Sequence, residues 1–262
     1  MSTTVSINGV EFLVESGNVP QHDRFWIKVN RGVWEIETYR VIDEQTDKDT
    51  LVIDCDGWIG PTILYTAQRC GYCVGFEPDP VAFATLNANL ALNSDTSWAQ
   101  NVELVNKAIH STGRPITIAA SNKVGGDSMS SMLNPTTSAN WKVSTQRLQK
   151  VIEKYRGDYK KVFVKIDVEG GEYNILPSIA DVMADTSVSF LIAFHHRRLK
   201  LSYANETQTG GTSKFLETLQ KVVDALPWDR EIVTLGGEVL DPEKVRKAVA
   251  NGNGFGAEIV IR

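Results

Sequence analysis

Two acids stand at the ends of apolar runs: Asp54 after Leu51-Val52-Ile53, and Glu77 after Tyr72 to Phe76. Their separation is close to the roughly 20 residues that part a glycine-bearing cofactor loop from a ribose-binding acid in wound α/β sheets. An acid at the second position can accept hydrogen bonds from both ribose hydroxyls of an adenosine. The competing use, a helix N-cap, is already filled by Asp79 in Glu77-Pro78-Asp79-Pro80. Glu77 is therefore free to bind a ligand.

The turn after Asp54, "DCDGWIG", has an acid, Asp56, where a glycine would be expected, followed by Gly57 and Gly60. A dinucleotide site wants G-x-G-x-x-G, so that backbone and helix dipole meet a pyrophosphate. Carboxylates beside a pyrophosphate are unfavourable, whereas carboxylates beside a sulfonium and an α-ammonium are favourable. The loop chemistry leans to S-adenosylmethionine over a nicotinamide cofactor.

A third group is "KIDVEGGE", residues 165–172, in which an apolar strand delivers Asp167 to the sheet edge and Glu169 follows in the turn. Two acids this close can orient a hydroxyl, bind a divalent cation or share a proton. Glu172 reads as the cap of the next helix. His195, at the end of "SFLIAF", titrates near 6.5 when unperturbed and is the candidate base at neutral pH; a divalent cation on Asp167 and Glu169 is the alternative activator. His196 should face the opposite way if the strand continues.

The elements that must position these groups alternate. Strand-like runs at Leu51–Ile53, Tyr72–Phe76, Val102–Val105, Val162–Ile166, Ser189–Phe194, Glu231–Leu235 and Ala257–Ile261 are separated by helical patterns. Among the helices, Pro61 to Cys70 opens on proline, Asp79 caps the next, Ser144 caps one bearing Leu148, Val151, Ile152 and Tyr155, and Phe215 to Leu226 is amphipathic. Such alternation predicts an α/β, doubly wound parallel sheet, with its ligand at the carboxyl ends of the strands. Residues 1–50 read as a β-rich cap, with Phe25–Val29 and Trp34–Glu37 flanking the turn Asn30-Arg31-Gly32, and 51–262 as the main domain. Two polar stretches, Ser121 to Asn140 and Asn205 to Ser213, read as lids or as solvated insertions.

A net charge of −5 and a pI near 5.5 argue against a nucleic-acid partner. No run approaches the roughly 20 apolar residues of a membrane span, and no secretory signal is visible, so the expectation is a cytoplasmic protein without a membrane partner. Cys70-x-x-Cys73 lacks a second ligand pair for zinc, and with Cys55 is read as buried thiols.

"VIDCDGWIGPTILYTA", "VGFEPDPVAFATLNANLALN" and "FVKIDVEGGEYNIL" together resemble the FkbM family of S-adenosylmethionine-dependent methyltransferases, over roughly Leu51 to Leu176. The resemblance implies a seven-stranded, Rossmann-like methyltransferase sheet with one antiparallel strand near the C-terminus. It also implies O-methylation of a hydroxyl on a sugar, glycan or other small-molecule acceptor. Carried onto this chain, it puts Asp54, Gly57 and Gly60 around the methionine part of the cofactor, Glu77 on the ribose, and Asn106 and Ala108 along the adenine edge. Asp167 and Glu169 fall beside the transferred methyl. Asp56 departs from the pattern, because the family's glycine there allows a positive φ or a close approach to the ligand. The departure leaves open a tuned site, a weakened one, or a degenerate protein that binds the cofactor without catalysis.

Overall fold

The computed structural model describes residues 1–134, 139–206 and 211–262. The chain opens with a hairpin, β1 (Ser2–Ile7) and β2 (Val10–Glu15), turned by Asn8 and Gly9, both at positive φ as such a tight turn requires. Two helices follow, α1 (Pro20–Asn30) and α2 (Ile36–Gln45). This corrects the expected β-rich cap: Phe25–Val29 and most of Trp34–Glu37 are helical or helix-entering. Aromatic and β-branched residues favoured strands, but His22, Trp26 and Val29 recur at helical spacing and form the buried face, behind Pro20 in the first turn. The turn at Asn30-Arg31-Gly32 is present, with Gly32 at φ 62°.

The main alternation then runs β3 (Thr50–Asp54), α3 (Pro61–Thr66), β4 (Tyr72–Phe76), α4 (Pro80–Ala91) and β5 (Val102–Val105). Short pairings β6 (Ala108–Ile109) with β9 (Thr145–Gln146), and β7 (Ile116–Ala119) with β8 (Asn140–Val143), lead to α5 (Leu148–Tyr155). Ser144 does not cap α5. The residues after it are taken into β9, and the helix starts at Leu148 behind Arg147. Next come β10 (Lys161–Ile166), α6 (Glu172–Ile175), α7 (Ala180–Ala184), β11 (Val188–Ala193) and α8 (His196–Glu206). Then α9 (Gly211–Ala225), β12 (Ile232–Thr234), α10 (Pro242–Ala250) and β13 (Glu258–Ile261) complete the chain.

Seven of these strands form one sheet in the order β12-β13-β11-β10-β3-β4-β5, parallel except for β13, which is antiparallel to both its neighbours. The expected doubly wound sheet is therefore observed. Its order reverses between β3 and β10, and at such a switch point the loops leave in opposite directions and open a crevice. The sheet is apolar on both faces, as a covered parallel sheet must be. Leu51, Ile53, Val74, Val164 and Ile192 face the helices α5 and α9, while Val52, Cys73, Phe163 and Val260 face the other way. Trp26, Tyr39, Val41 and Ile42 from the first fifty residues share that second core with Ile63 and Leu64 of α3. Cys55, Cys70 and Cys73 are free, buried thiols. Among the described residues no helix is long and apolar enough to cross a membrane.

Candidate active site

The β3–α3 loop is held from beneath. Asp54 is 2% exposed and accepts the Thr62 hydroxyl at 2.5 Å and the Asp56 N–H at 3.3 Å. It organises the loop and does not line the cavity above it. Gly60, at φ 100°, opens α3, and a Cβ there would come within 2.8 Å of Leu86. A Cβ on Gly57 would meet Ile63 Cδ1 at 2.3 Å. Both glycines are required by close packing of the loop on α3 and α4. Besides Gly60, the left-handed residue of the loop is Trp58, at φ 47°, whereas Asp56 is outside that region. The backbone reason for a glycine at position 56 therefore does not apply here. Trp58 is pinned instead, its N–H donating to Glu77 Oε2 at 2.7 Å and its indole N–H to the Gly126 carbonyl at 3.0 Å.

Glu77 ends β4, 2% exposed, and its second oxygen accepts the Asp79 N–H at 2.7 Å. Burial pushes its carboxyl up to about 7. The Asp56 carboxyl lies against it and is pushed well above the carboxylate range, first by burial and then by the Glu77 charge. The two acids thus share a proton, with Asp56 as its main holder. Asp79 caps α4 through the N–H groups of Val81 and Ala82, as expected. Its other oxygen accepts the Gly126 N–H at 2.9 Å and the Ser130 hydroxyl at 2.7 Å, which fastens the polar stretch from Ser121 over the loop. Residues 135–138 of that stretch, and 207–210 of the second, lie outside the described residues.

Asp167 and Glu169 leave β10 as expected, Glu169 at φ 52°. Lys165, 6% exposed, donates to Asp167 at 3.1 Å and lies 3.9 Å from Asp54. Burial opposes the charges of both partners, yet the charges prevail: Lys165 is held protonated and Asp167 stays below its ordinary value. Glu172 is fully buried and is no simple helix cap. It accepts the N–H of Gly170 at 2.8 Å and that of His195 at 2.7 Å, stitching the loop after β10 to the loop after β11. His195 Nε2 lies 3.6 Å from Asp167 and 3.4 Å from Glu169, with Nδ1 3.3 Å from Glu172. Burial lowers its affinity for a proton, but bonds to Glu169 and Glu172 outweigh this and raise it to about 10. At neutral pH His195 is an imidazolium, which corrects its reading as a free base. Ligand atoms of Asp167, Glu169 and His195 all lie within 4.8 Å of one another, a grouping that could hold a cation. His196 begins α8 and is structural, bonded to the Tyr173 hydroxyl and the Phe255 carbonyl.

Asp56, Glu77, Lys165, Asp167 and Glu169 open onto a cavity of about 170 Å³ at the switch point. Its lining carries six acids (Glu35, Asp56, Glu77, Asp127, Asp167 and Glu169), one cation (Lys165) and the rings of Phe25, Trp34 and Trp58. Burial raises Glu35 to about 7. A second pocket of about 30 Å³, lined by Pro78, Ala108, Ile118 and Val168 among others, adjoins it; Asp56 and Ser130 line both. Ala108 is therefore placed on an apolar pocket beside the loop. Asn106 is exposed and turns its amide onto the Glu77 carbonyl at 2.8 Å. Lys165, Thr62 and the positioning role of Glu172 were within quoted motifs, yet nothing in spacing distinguishes a buried ion pair from a solvated one. Glu35 and the aromatic wall were hidden by reading a helix region as strand. Trp26 is buried and Trp34 lines the cavity.

Several solved methyltransferases resemble the chain. An FkbM methyltransferase from Methylobacillus flagellatus is 16% identical with a TM-score of 0.47, covering 83% of this chain and 44% of that one. A putative rRNA-methylase from Clostridium thermocellum is 12% identical with a TM-score of 0.41, covering 86% and 91%. A precorrin-6y C5,15-methyltransferase from Geobacter metallireducens is 10% identical with a TM-score of 0.39, covering 87% and 85%. The chain thus spans less than half the length of the Methylobacillus protein. No curated protein matches it significantly. Residues 42–219, well over half of the chain and including every acid of the cavity except Glu35, match the model of the methyltransferase FkbM domain. With the seven-stranded sheet and its acidic switch point, that match means the chain belongs to the FkbM methyltransferase family.

Proposed function

We propose that the chain uses S-adenosylmethionine to methylate a hydroxyl oxygen of a small-molecule acceptor. The observation that carries this reading is the acidity of the switch-point cavity: six carboxyl groups, of which Asp56 holds a proton and Glu35 and Glu77 are pushed up to about 7, with one ammonium and three aromatic rings. That lining suits a cofactor bearing a sulfonium and an ammonium, and would repel a pyrophosphate. Glu77 would face the ribose. A carboxylate has about four acceptor sites, and backbone N–H groups occupy one on each oxygen, which leaves capacity for hydroxyls. Ala108 and Pro78 would line the adenine, and Lys165 would balance the cofactor's carboxylate. The two pockets fit as ends of one cleft in which Asp56 and Ser130 form the partition.

When bound, the cofactor supplies an electrophilic methyl on sulfur. The chain's own task is alignment and proton removal. A hydroxyl delivered between Asp167, Glu169 and His195 is held in line by groups that are themselves locked by Lys165, Arg198 and Glu172. In that transfer the Glu169 carboxylate would take the hydroxyl proton, while the His195 imidazolium would keep its own and orient the oxygen. The same cluster could instead hold a divalent cation that acidifies the hydroxyl. A second reading, a cofactor binder without catalysis, draws on Asp56, whose carboxyl stands in the partition.

Calorimetric titration with S-adenosylmethionine tests the reading on wild type, Asp56→Gly and Glu77→Gln. Binding by wild type, tightened about tenfold by Asp56→Gly and weakened by Glu77→Gln, supports it. Binding by Asp56→Gly alone means that this residue has closed the site. Silence from all three sinks it.

A further inference from the structure

On the far side of His195 lies a larger cavity, of about 630 Å³, that the cofactor reading does not use. Its volume is within the roughly 300–1,000 Å³ typical of small-molecule pockets. Met129, Leu133, Phe194 and Leu201 form its walls, and Met129 and Leu201 remain 45% and 56% exposed, an apolar surface left open to solvent. His195 belongs to this cavity, and its Nε2 contacts Asp167 and Glu169 of the acidic cavity. The imidazole is therefore the junction between the two spaces. In-line transfer needs donor and acceptor to approach the methyl from opposite sides, and two separate cavities that meet at His195 suit that requirement.

The lining also discriminates between acceptors. Each hydroxyl of a sugar buried here would need a polar partner, and the apolar walls supply few. The two arginines of the cavity differ in what they do. Arg198 is committed, bonded to Glu169 at 2.8 Å and to Asn134 at 2.8 Å. Arg197 is exposed, lines the cavity and forms no ion pair among the described residues. Among the described residues it is the uncommitted cation of a mouth whose surface is mainly apolar, with Ser121, Asn134 and Ser202 also on its lining.

We propose that this cavity is the acceptor site and that it takes a hydroxylated molecule with an apolar body and an anionic end group. The apolar body lies along Met129, Leu133 and Leu201, the anion meets Arg197, and the hydroxyl reaches His195. The assignment of the cavity to an acceptor rests on the methyltransferase reading above; the ligand chemistry rests on the lining alone.

The test is calorimetric binding of three probes to the full chain: 3-hydroxydecanoate, its neutral methyl ester, and glucose. The expected result is binding of 3-hydroxydecanoate about tenfold tighter than of the ester, no binding of glucose, and loss of the acid's advantage in Arg197→Ala with rescue by Arg197→Lys. Ser202→Trp, which fills the cavity from α8, should abolish binding of both lipidic probes. Binding of glucose alone, binding of none of the three, or an acid-over-ester preference that survives Arg197→Ala overturns the proposal. Titration of the same preparations with S-adenosylmethionine separates the two readings. Cofactor binding without hydroxy-acid binding refutes this inference alone, whereas the converse refutes the methyltransferase reading and leaves the ligand chemistry standing.

Discussion

Replacing Glu77 by glutamine should flatten the dependence of stability on pH. Glu77 is 2% exposed and its carboxyl is pushed from 4.5 up to about 7. Between these values the folded protein holds a proton that the unfolded chain has already released. Stability contributed by that proton is full below about 4.5 and is lost as the pH rises through 7, at about 1.4 kcal/mol per pH unit. The whole effect is on the order of 3 kcal/mol, or about 6–12 °C in melting temperature for a chain of this size. Asp56 is raised chiefly by burial, which is the same in both proteins and cancels; only the smaller part due to the Glu77 charge differs between them. His195, raised to about 10, also loses stability with rising pH, but it does so in both proteins and cancels in the comparison. The assay is urea unfolding of wild type and Glu77→Gln at pH 5 and pH 8. Wild type should lose about 2.5 kcal/mol more than the variant over that interval, since part of the effect lies below pH 5. The variant's lower starting stability, from a missing acceptor for Trp58 or Asp79, is no part of the test. Parallel slopes for the two proteins would refute the claim that burial pushes the Glu77 carboxyl up to about 7.

Other consequences follow from single contacts. Glu172→Gln removes one of the two carboxylates that hold the His195 proton, so the His195 titration seen by NMR should move below 10; an unmoved value would show that Glu172 is only structural. In the same variant kcat should fall by about tenfold with the KM for the cofactor unchanged. Gly57→Ala forces a methyl within 2.3 Å of Ile63 Cδ1 in a closed core and should cost about 1–3 kcal/mol in urea unfolding. Asp79→Ala removes a helix cap and leaves the Gly126 N–H without its partner, for a loss of about 2 kcal/mol and faster proteolysis between Ser121 and Asn134. If Glu169 and not a cation removes the hydroxyl proton, turnover should be the same in EDTA as with magnesium; loss of turnover in EDTA that magnesium restores would move the role to a metal on Asp167, Glu169 and His195.

The amino-acid sequence by itself determined the alternation of strands and helices, the doubly wound sheet and the acids at its carboxyl edge. Each of these is a local pattern: a short apolar run, a proline or aspartate at a helix start, an acid one residue past a strand. It mis-set residues 20–45, where aromatic residues that are equally at home in strands lie on a helix, and the burial of His22, Trp26 and Val29 on one face decided between the two. The tertiary structure alone decided the electrostatics. Asp56 and Glu77 are far apart in the chain, and only the return of β4 beside β3 places two carboxyls against each other and away from water. His195 reads as an ordinary histidine until Asp167, Glu169 and Glu172 converge on it from a different strand. A charge's partners and its solvation are properties of position in space, and the linear order of residues does not contain them.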